Sequence, residues 1–143
     1  MTKKRLLIHL VVFLSALLIV LFDNPQTIAT PRSSNPLTIA ALLHLTGEYA
    51  QAGQAFYEGA LLAQQEINAA RTNGEPELKI IFEDTQYNMK TVNTLSQKAL
   101  HIDNVPLALV SNYTEVMVAG PVFERSKTPL ITLWDSSPEI EKL

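Results

Sequence analysis

The chain of 143 residues contains no cysteine. This absence excludes disulfide bonds, thiolate metal ligands and a cysteine nucleophile. It also excludes a lipobox, because lipid attachment after a signal sequence requires a cysteine at the cleavage point. Clusters of basic residues are also absent from the sequence after the first five residues, and the net charge is −3. The composition therefore predicts no nucleic-acid partner.

The common catalytic and nucleotide-binding motifs are absent as well. The sequence has no G-x-S-x-G elbow, no P-loop and no H-E-x-x-H, and no G-x-G-x-x-G follows the first predicted strand. His44 and His101 lie far apart; we expect His101 near a helix end and His44 to be a polar loop residue. Glu83 and Asp84 are adjacent on a strand and point to opposite faces, so Asp84 is expected to accept hydrogen bonds from its loop backbone. The sequence predicts no enzyme activity, no metal and no cofactor.

The first 29 residues have the pattern of an export signal. Lys3, Lys4 and Arg5 precede an almost uninterrupted apolar run, Leu6 to Phe22, and small residues lead to a cleavage position after Ala29. Residues 1–29 are therefore predicted to be a signal peptide or an N-terminal membrane anchor, an apolar helix in either case. Both interpretations place the rest outside the cytoplasm, periplasmic or otherwise extracytoplasmic, with membrane contact only through this segment.

Residues 30–36 contain two prolines and two serines and are predicted to be a linker. After them, four strand patterns alternate with three helix patterns. The predicted strands are Leu37–Leu43, Leu78–Glu83, Pro106–Val110 and Pro129–Leu133. The predicted helices are Gln54–Arg71, Met89–Ile102 and Glu115–Arg125. This order predicts an α/β fold with a doubly wound parallel sheet, strand order 2-1-3-4. The first helix is expected to bury a stripe formed by Phe56, Gly59, Ala60, Ala63 and Ile67, with Gln64 and Asn68 in solvent.

The last residues predict the start of a fourth helix. Ser136 and Glu139 have capping-box spacing, and Pro138 suits a first helical turn. The chain ends at Leu143, less than two turns later. Residues 37–143 are therefore predicted to be a truncated lobe.

In such sheets, ligands bind outside the carboxyl ends of the strands, at the switch point between the first and third strands. One wall of the site would be the loop from His44 to Gln54. Hydroxyl groups and free N–H groups at helix N-termini could receive a carboxylate, and aromatic rings could form an apolar wall. The alternative is that the serines and threonines are only helix caps and that Trp134 belongs to the core. The candidate ligand-binding residues are Thr46, Tyr49, Ser111, Asn112, Tyr113, Thr114, Trp134 and Ser136.

The stretch LTIAALLHLTGEYAQAGQAFYEGALLAQQEINAA resembles the opening of the leucine/isoleucine/valine-binding proteins, which are type I periplasmic solute-binding proteins of ABC importers. The shared features are an apolar strand, then Leu45-Thr46-Gly47, Tyr49-Ala50, Gly53, and a helix ending in Glu66-Ile67-Asn68. Glu83-Asp84 followed by Gln86, the segment from Val105 to Thr132, and Ser136-Ser137-Pro138 are also similar. The resemblance covers residues 37–143.

The resemblance implies a two-lobed protein that closes on an amino acid or similar small solute and docks on a membrane permease. It places the ligand's carboxylate and amine at the loops after the third and fourth strands, here at Tyr113, Thr114, Trp134 and Ser136. Tyr113 and Trp134-Asp135 replace residues that are small in the family, which would narrow the pocket, and Asp135 would oppose a carboxylate. The family's chains are considerably longer, so this chain would be a partial first lobe, with weak or no binding alone.

Two other interpretations remain open at this stage. The chain could be the extracytoplasmic ligand-sensing domain of a receptor or signalling protein with the same fold. It could also be a fragment of an exported α/β enzyme, which would need a nucleophile–base pair beyond residue 143.

Overall fold

The computed structural model describes residues 35–135 and 137–142. The predicted signal peptide or anchor, most of the predicted linker and Ser136 lie outside the described residues. Within the described ranges, none of the helices combines the length and the hydropathy needed to cross a bilayer.

The sheet has four parallel strands in the order β2-β1-β3-β4, as the sequence predicts. The strands are β1 (Leu37–Leu43), β2 (Leu78–Asp84), β3 (Ala108–Val110) and β4 (Leu130–Thr132). β3 and β4 each begin after the proline predicted to start them, because Pro106 and Pro129 have no N–H to donate to a ladder. β1 is central and pairs along its whole length with β2, from Leu37 opposite Leu78 to Leu43 opposite Asp84. This pairing brings the ends of β1 and β2 to the same edge.

Three helices connect the strands: α1 (Ala50–Ala70), α2 (Met89–His101) and α3 (Tyr113–Arg125). Asparagine caps two of them. The Asn88 side chain accepts from the N–H groups of Lys90 and Thr91, and the Asn112 side chain accepts from the N–H of Glu115. The predicted fourth helix is present only as a 3-10 turn over Ile140–Lys142.

The hydrophobic core lies between the sheet and helices α2 and α3. Ala40 and Leu42 of β1 join it together with Ala108 and Val110 of β3 and the apolar faces of both helices. The residues of β1 from Ile39 onward are all buried, which confirms that the central strand is covered on both faces.

Helix α1 differs from its prediction in position and in the face that it buries. It begins at Ala50, four residues before the predicted start, and its buried residue is Gly53. The predicted buried stripe is wrong, because Gly59, Ala63 and Ile67 are exposed. Tyr57 instead packs against Phe82 of β2, with ring centroids 4.6 Å apart.

Two amide side chains on this face of α1 bind the backbone of β2. Gln64 Oε1 accepts from the N–H of Ile80 at 2.6 Å. Asn68 donates to the carbonyl of Leu78 at 2.8 Å and accepts from its N–H at 2.9 Å. The prediction that both amides lie in solvent is wrong, because β2 is an edge strand whose outer backbone groups need partners.

Candidate functional site

The loops after the four strands meet at the carboxyl edge of the sheet. β1 and β3 are neighbours there, yet the helices that follow them cover different faces: α1 packs on Phe82, whereas α3 packs on the core with Ala40 and Leu42. Adjacent strands whose connections leave in opposite directions open a crevice at this edge. The structure therefore has a crevice at the switch point, where the sequence predicts the site.

Asp84 ties the loop after β1 to the loop after β2. Its carboxylate accepts from the N–H groups of Leu45 (2.9 Å) and Thr46 (3.2 Å), from the Thr46 hydroxyl (2.6 Å) and from the N–H of Gln86 (2.9 Å). Burial opposes its ionisation, but the bonds from the Thr46 hydroxyl and from the backbone of Gln86, Leu45 and Thr46 outweigh burial and lower its pKa. The predicted loop role of Asp84 is confirmed, and it extends to a second loop.

A cavity of about 360 Å³ opens between these loops. Its volume is within the range of small-molecule sites. Every strand-end loop contributes to it. The lining residues are His44, Glu48, Tyr49, Gln51, Ala52, Tyr87, Asn112, Trp134 and Asp135.

Aromatic rings form much of the cavity wall. The Tyr49 and Tyr87 ring centroids lie 4.6 Å apart, and the His44 ring meets Tyr87 edge-on at 5.8 Å. Trp134 packs edge-on against Phe56 at 6.0 Å. Tyr49 and Trp134 remain 50% and 62% exposed, so their rings face solvent and not the core. The wall therefore offers exposed aromatic rings to a ligand, and the core interpretation of Trp134 is wrong.

A buried polar network lies beneath the cavity. Its centre is the carboxylate of Glu115, which is 0% exposed in the first turn of α3. The carboxylate accepts from the hydroxyls of Thr85 and Ser111 and, at 2.9 Å, from the side-chain amide of Asn112. His44, 2% exposed, places Nδ1 at 3.4 Å from the same carboxylate. A buried carboxylate needs such a set of donors, so the network fixes the loops after β1, β2 and β3 relative to one another.

Ser111 and His44 form a hydroxyl–imidazole pair that the sequence analysis did not recognise. Ser111 Oγ lies 2.9 Å from His44 Nδ1. The hydroxyl has one proton and donates it to Glu115, so it accepts from His44 Nδ1–H. A ring nitrogen that already bears a proton cannot act as the base for Ser111, and Ser111 is fully buried. The pair therefore has the geometry of a structural contact.

The structure brings three of the predicted ligand-binding residues to the cavity: Tyr49, Asn112 and Trp134. Ser111 lies below the cavity in the buried network. Thr46 binds Asp84, and Thr114 lies 3.3 Å from the hydroxyl of Tyr87. The others are Tyr113, which begins α3 without lining the cavity, and Ser136, which lies outside the described residues.

Sequence reasoning missed Thr85, Tyr87 and Glu115, and it placed His44 in a wall of the site without assigning it a role. His44 lies in the loop after β1, as expected, but it is buried and joins the polar network instead of facing solvent. Tyr87 follows β2, and with Gln86 it adopts a positive φ that no local pattern predicts. Acidic residues are common in the first turn of a helix, so the sequence around Glu115 gives no indication that its side chain is buried. In residues 35–135 and 137–142, no group of three or more metal-ligating side chains comes together.

Comparison with known proteins places the chain in one family. The family model described as periplasmic binding protein matches residues 36–142. No curated protein matches the sequence.

Solved structures share the fold at low identity. The branched-chain amino acid transporter substrate-binding protein LivJ from Streptococcus pneumoniae, in complex with isoleucine, is 20% identical with a TM-score of 0.69, over 76% of this chain and 31% of that one. The leucine-binding protein LivK from Thermotoga maritima is 21% identical with a TM-score of 0.67, over 73% and 29%. An ABC transporter solute-binding protein from R. palustris, in complex with 4-hydroxybenzoate, is 18% identical with a TM-score of 0.63, over 76% and 29%.

The chain thus spans about a third of the length of these proteins. Its four-stranded parallel sheet matches the type I fold of their corresponding part. With the match over residues 36–142, the chain belongs to the periplasmic binding protein family.

Proposed function

We propose that the chain is the substrate-binding component of an ABC importer and takes an amino acid or a similar small solute. The observation that carries this proposal is the cavity of about 360 Å³ at the switch point of the sheet. Aromatic faces and a few polar groups line it, which is the usual composition of a site for a small organic molecule.

The residues that would contact the solute are Tyr49, Asn112 and Trp134. The amide of Asn112 is held in place by Glu115 and by its own role as the cap of α3. Thr46, Ser111 and Thr114 would act through the loops, because each binds a neighbouring loop residue. A preorganised polar group loses little entropy when a solute binds, so the network beneath the cavity supports a binding role.

Family membership supports the importer assignment. Of the similar structures described above, one is a solute-binding protein of an ABC transporter and holds 4-hydroxybenzoate, one is the substrate-binding protein of a branched-chain amino acid transporter, and one is a leucine-binding protein. For this chain we propose the same type of partner, a membrane permease. We also propose an extracytoplasmic location, reached through the export signal predicted in residues 1–29.

The proposal predicts that a small solute stabilises the whole chain. Thermal unfolding should be followed with L-leucine, L-isoleucine and 4-hydroxybenzoate up to millimolar concentrations, since binding to the folded state raises the melting temperature. The variant Trp134→Ala should abolish the shift. Ile131→Ala is the matched control, because Ile131 is an exposed apolar residue of β4 that does not line the cavity.

No shift with any of the three solutes, or an unchanged shift in Trp134→Ala, would overturn the binding of an amino acid or similar solute at this cavity. The importer assignment is tested separately, by uptake of the stabilising solute in host cells lacking the gene for this chain. Uptake should fall in those cells and return when the gene is restored.

A further inference from the structure

The charged side chains that line the cavity are acidic. Glu48 and Asp135 contribute carboxylates, and the lining includes neither lysine nor arginine. In the described part of the chain, the lysine–carboxylate pairs are Lys98–Glu83 and Lys98–Asp103, so no lysine or arginine neutralises Glu48 or Asp135. Among the described residues, Asp135 accepts a hydrogen bond from the N–H of Ser137 at 3.1 Å. Both carboxylates keep their charge available to a ligand.

A third carboxylate adds to the negative potential from below. Glu115 is fully buried, and its Oε2 lies 2.9 Å from the amide nitrogen of Asn112, which lines the cavity. Charges in a water-poor setting act over longer distances than charges in solvent.

Three helix N-termini at this edge act in the opposite direction. α1, α2 and α3 all begin at the carboxyl edge of the sheet, and each N-terminus carries roughly half a unit of positive charge. Glu115 already lies in the first turn of α3 and offsets one of them. Three full negative charges exceed three half charges, so the balance at the cavity favours a cation.

The aromatic wall reinforces this preference. Tyr49, Tyr87 and Trp134 line the cavity, and the rings of tyrosine and tryptophan attract a cation to their faces. Ring faces beside carboxylates are the usual environment for an ammonium group that carries alkyl substituents. A carboxylate ligand would gain nothing from the ring faces and would be repelled by Glu48 and Asp135.

We propose that this cavity selects solutes that carry an organic cation, an amine or a quaternary ammonium group, held between the aromatic rings and the carboxylates of Glu48 and Asp135. The inference rests on the proposed solute-binding function and specifies its substrate class.

Trp134 allows a direct test, because it is the one tryptophan of the 143 residues and it lines the cavity. The whole chain should be titrated with choline, with the neutral isostere of choline in which carbon replaces the quaternary nitrogen, and with the tert-butylacetate anion. Trp134 fluorescence reports binding. We expect choline to bind at least about fivefold more tightly than the neutral isostere, and the anion to bind most weakly.

The variants Glu48→Gln and Asp135→Asn separate charge from shape. Each should weaken choline binding about two- to fivefold, more so at low ionic strength, and leave the neutral isostere unchanged. Glu66→Gln is the matched control, since Glu66 is an exposed carboxylate of α1 that does not line the cavity.

Equal binding of choline and its neutral isostere would overturn the cation preference and leave the solute-binding function standing. Tighter binding of the anion would do the same. If none of the three probes saturates the Trp134 signal, the cation preference is also overturned. The melting experiment with amino acids then decides independently whether the chain binds a solute at all.

Discussion

Gly53 of α1 lies directly against the backbone carbonyl of His44: a Cβ atom at residue 53 would stand 2.1 Å from that oxygen. No real contact is so short, so a side chain at this position would push α1 away from the end of β1. The contact places the first turn of α1, with Gln51 and Ala52, at the edge of the cavity. Gly53 is therefore a residue of close approach, whereas the sequence analysis assigned it to the loop.

Gly53→Ala should lower the free energy of unfolding by about 1–3 kcal/mol, because the new methyl group overlaps backbone that cannot move cheaply. Gly59→Ala is the control in the same helix. Nothing lies within 4 Å of its would-be Cβ, and alanine favours a helix interior by about 1 kcal/mol. Urea unfolding should show opposite signs for the two variants. Equal effects would contradict the contact.

Glu115→Gln should lower the free energy of unfolding by about 2–4 kcal/mol, because an amide nitrogen would then face hydrogen-bond donors in a buried site. Glu124→Gln, an exposed carboxylate of the same helix, should change stability by less than about 0.5 kcal/mol. Chemical denaturation compares the two. A Glu115→Gln protein as stable as the parent would mean that the network contributes little.

Asp84 should make stability depend on pH at the acidic side. Its pKa is lower in the folded chain than the ordinary 3.8, so its stabilisation is fully present above that value and is lost as the pH falls through the lowered folded-state pKa. Asp84→Asn should cost about 1–2 kcal/mol at neutral pH, and the cost should shrink in acid. Urea unfolding at several pH values measures both.

Thr46→Val should remove only part of the stabilisation of the Asp84 carboxylate. It deletes the hydroxyl donor and leaves the three backbone N–H donors. Its effect should have the same pH dependence with a smaller amplitude. A cost of Asp84→Asn that stays constant into acid would contradict the role given to the ionised carboxylate.

Asn68→Ala should destabilise the chain by about 1–2 kcal/mol, because both backbone groups of Leu78 lose their partner. Gln65→Ala, at an exposed position of the same helix, keeps helix propensity comparable and should be nearly neutral. Hydrogen exchange at the Leu78 amide reports the contact directly. Unchanged protection in Asn68→Ala would show that the side chain does not hold the edge of β2.

The fold follows from the sequence because strand and helix patterns depend on local periodicity. β1 was predicted with its observed bounds, since a short apolar run with threonine and isoleucine has few other interpretations. α1 was predicted with the wrong buried face, because Gln64 and Asn68 lie toward the sheet for hydrogen bonding to an edge strand. Hydrophobicity alone does not contain that information.

The site was predictable only in part. Tyr49, Asn112 and Trp134 follow strand ends, and topology alone brings strand ends together. His44, Ser111 and Glu115 meet across 67 and 71 positions of sequence. Such a network depends on the register of β1 against β3, which no single-sequence pattern specifies.

The most direct test of the solute-binding account is amide NMR of the whole chain during titration with L-isoleucine and, separately, with choline. The account predicts saturable chemical-shift changes in the loops around the cavity, residues 44–54, 84–88, 111–114 and 133–135. The cation preference further predicts that choline binds more tightly than L-isoleucine. Shifts that lie instead along residues 59–77, or the absence of any saturable shift with both probes, would contradict the claim that this edge of the sheet is a solute-binding site.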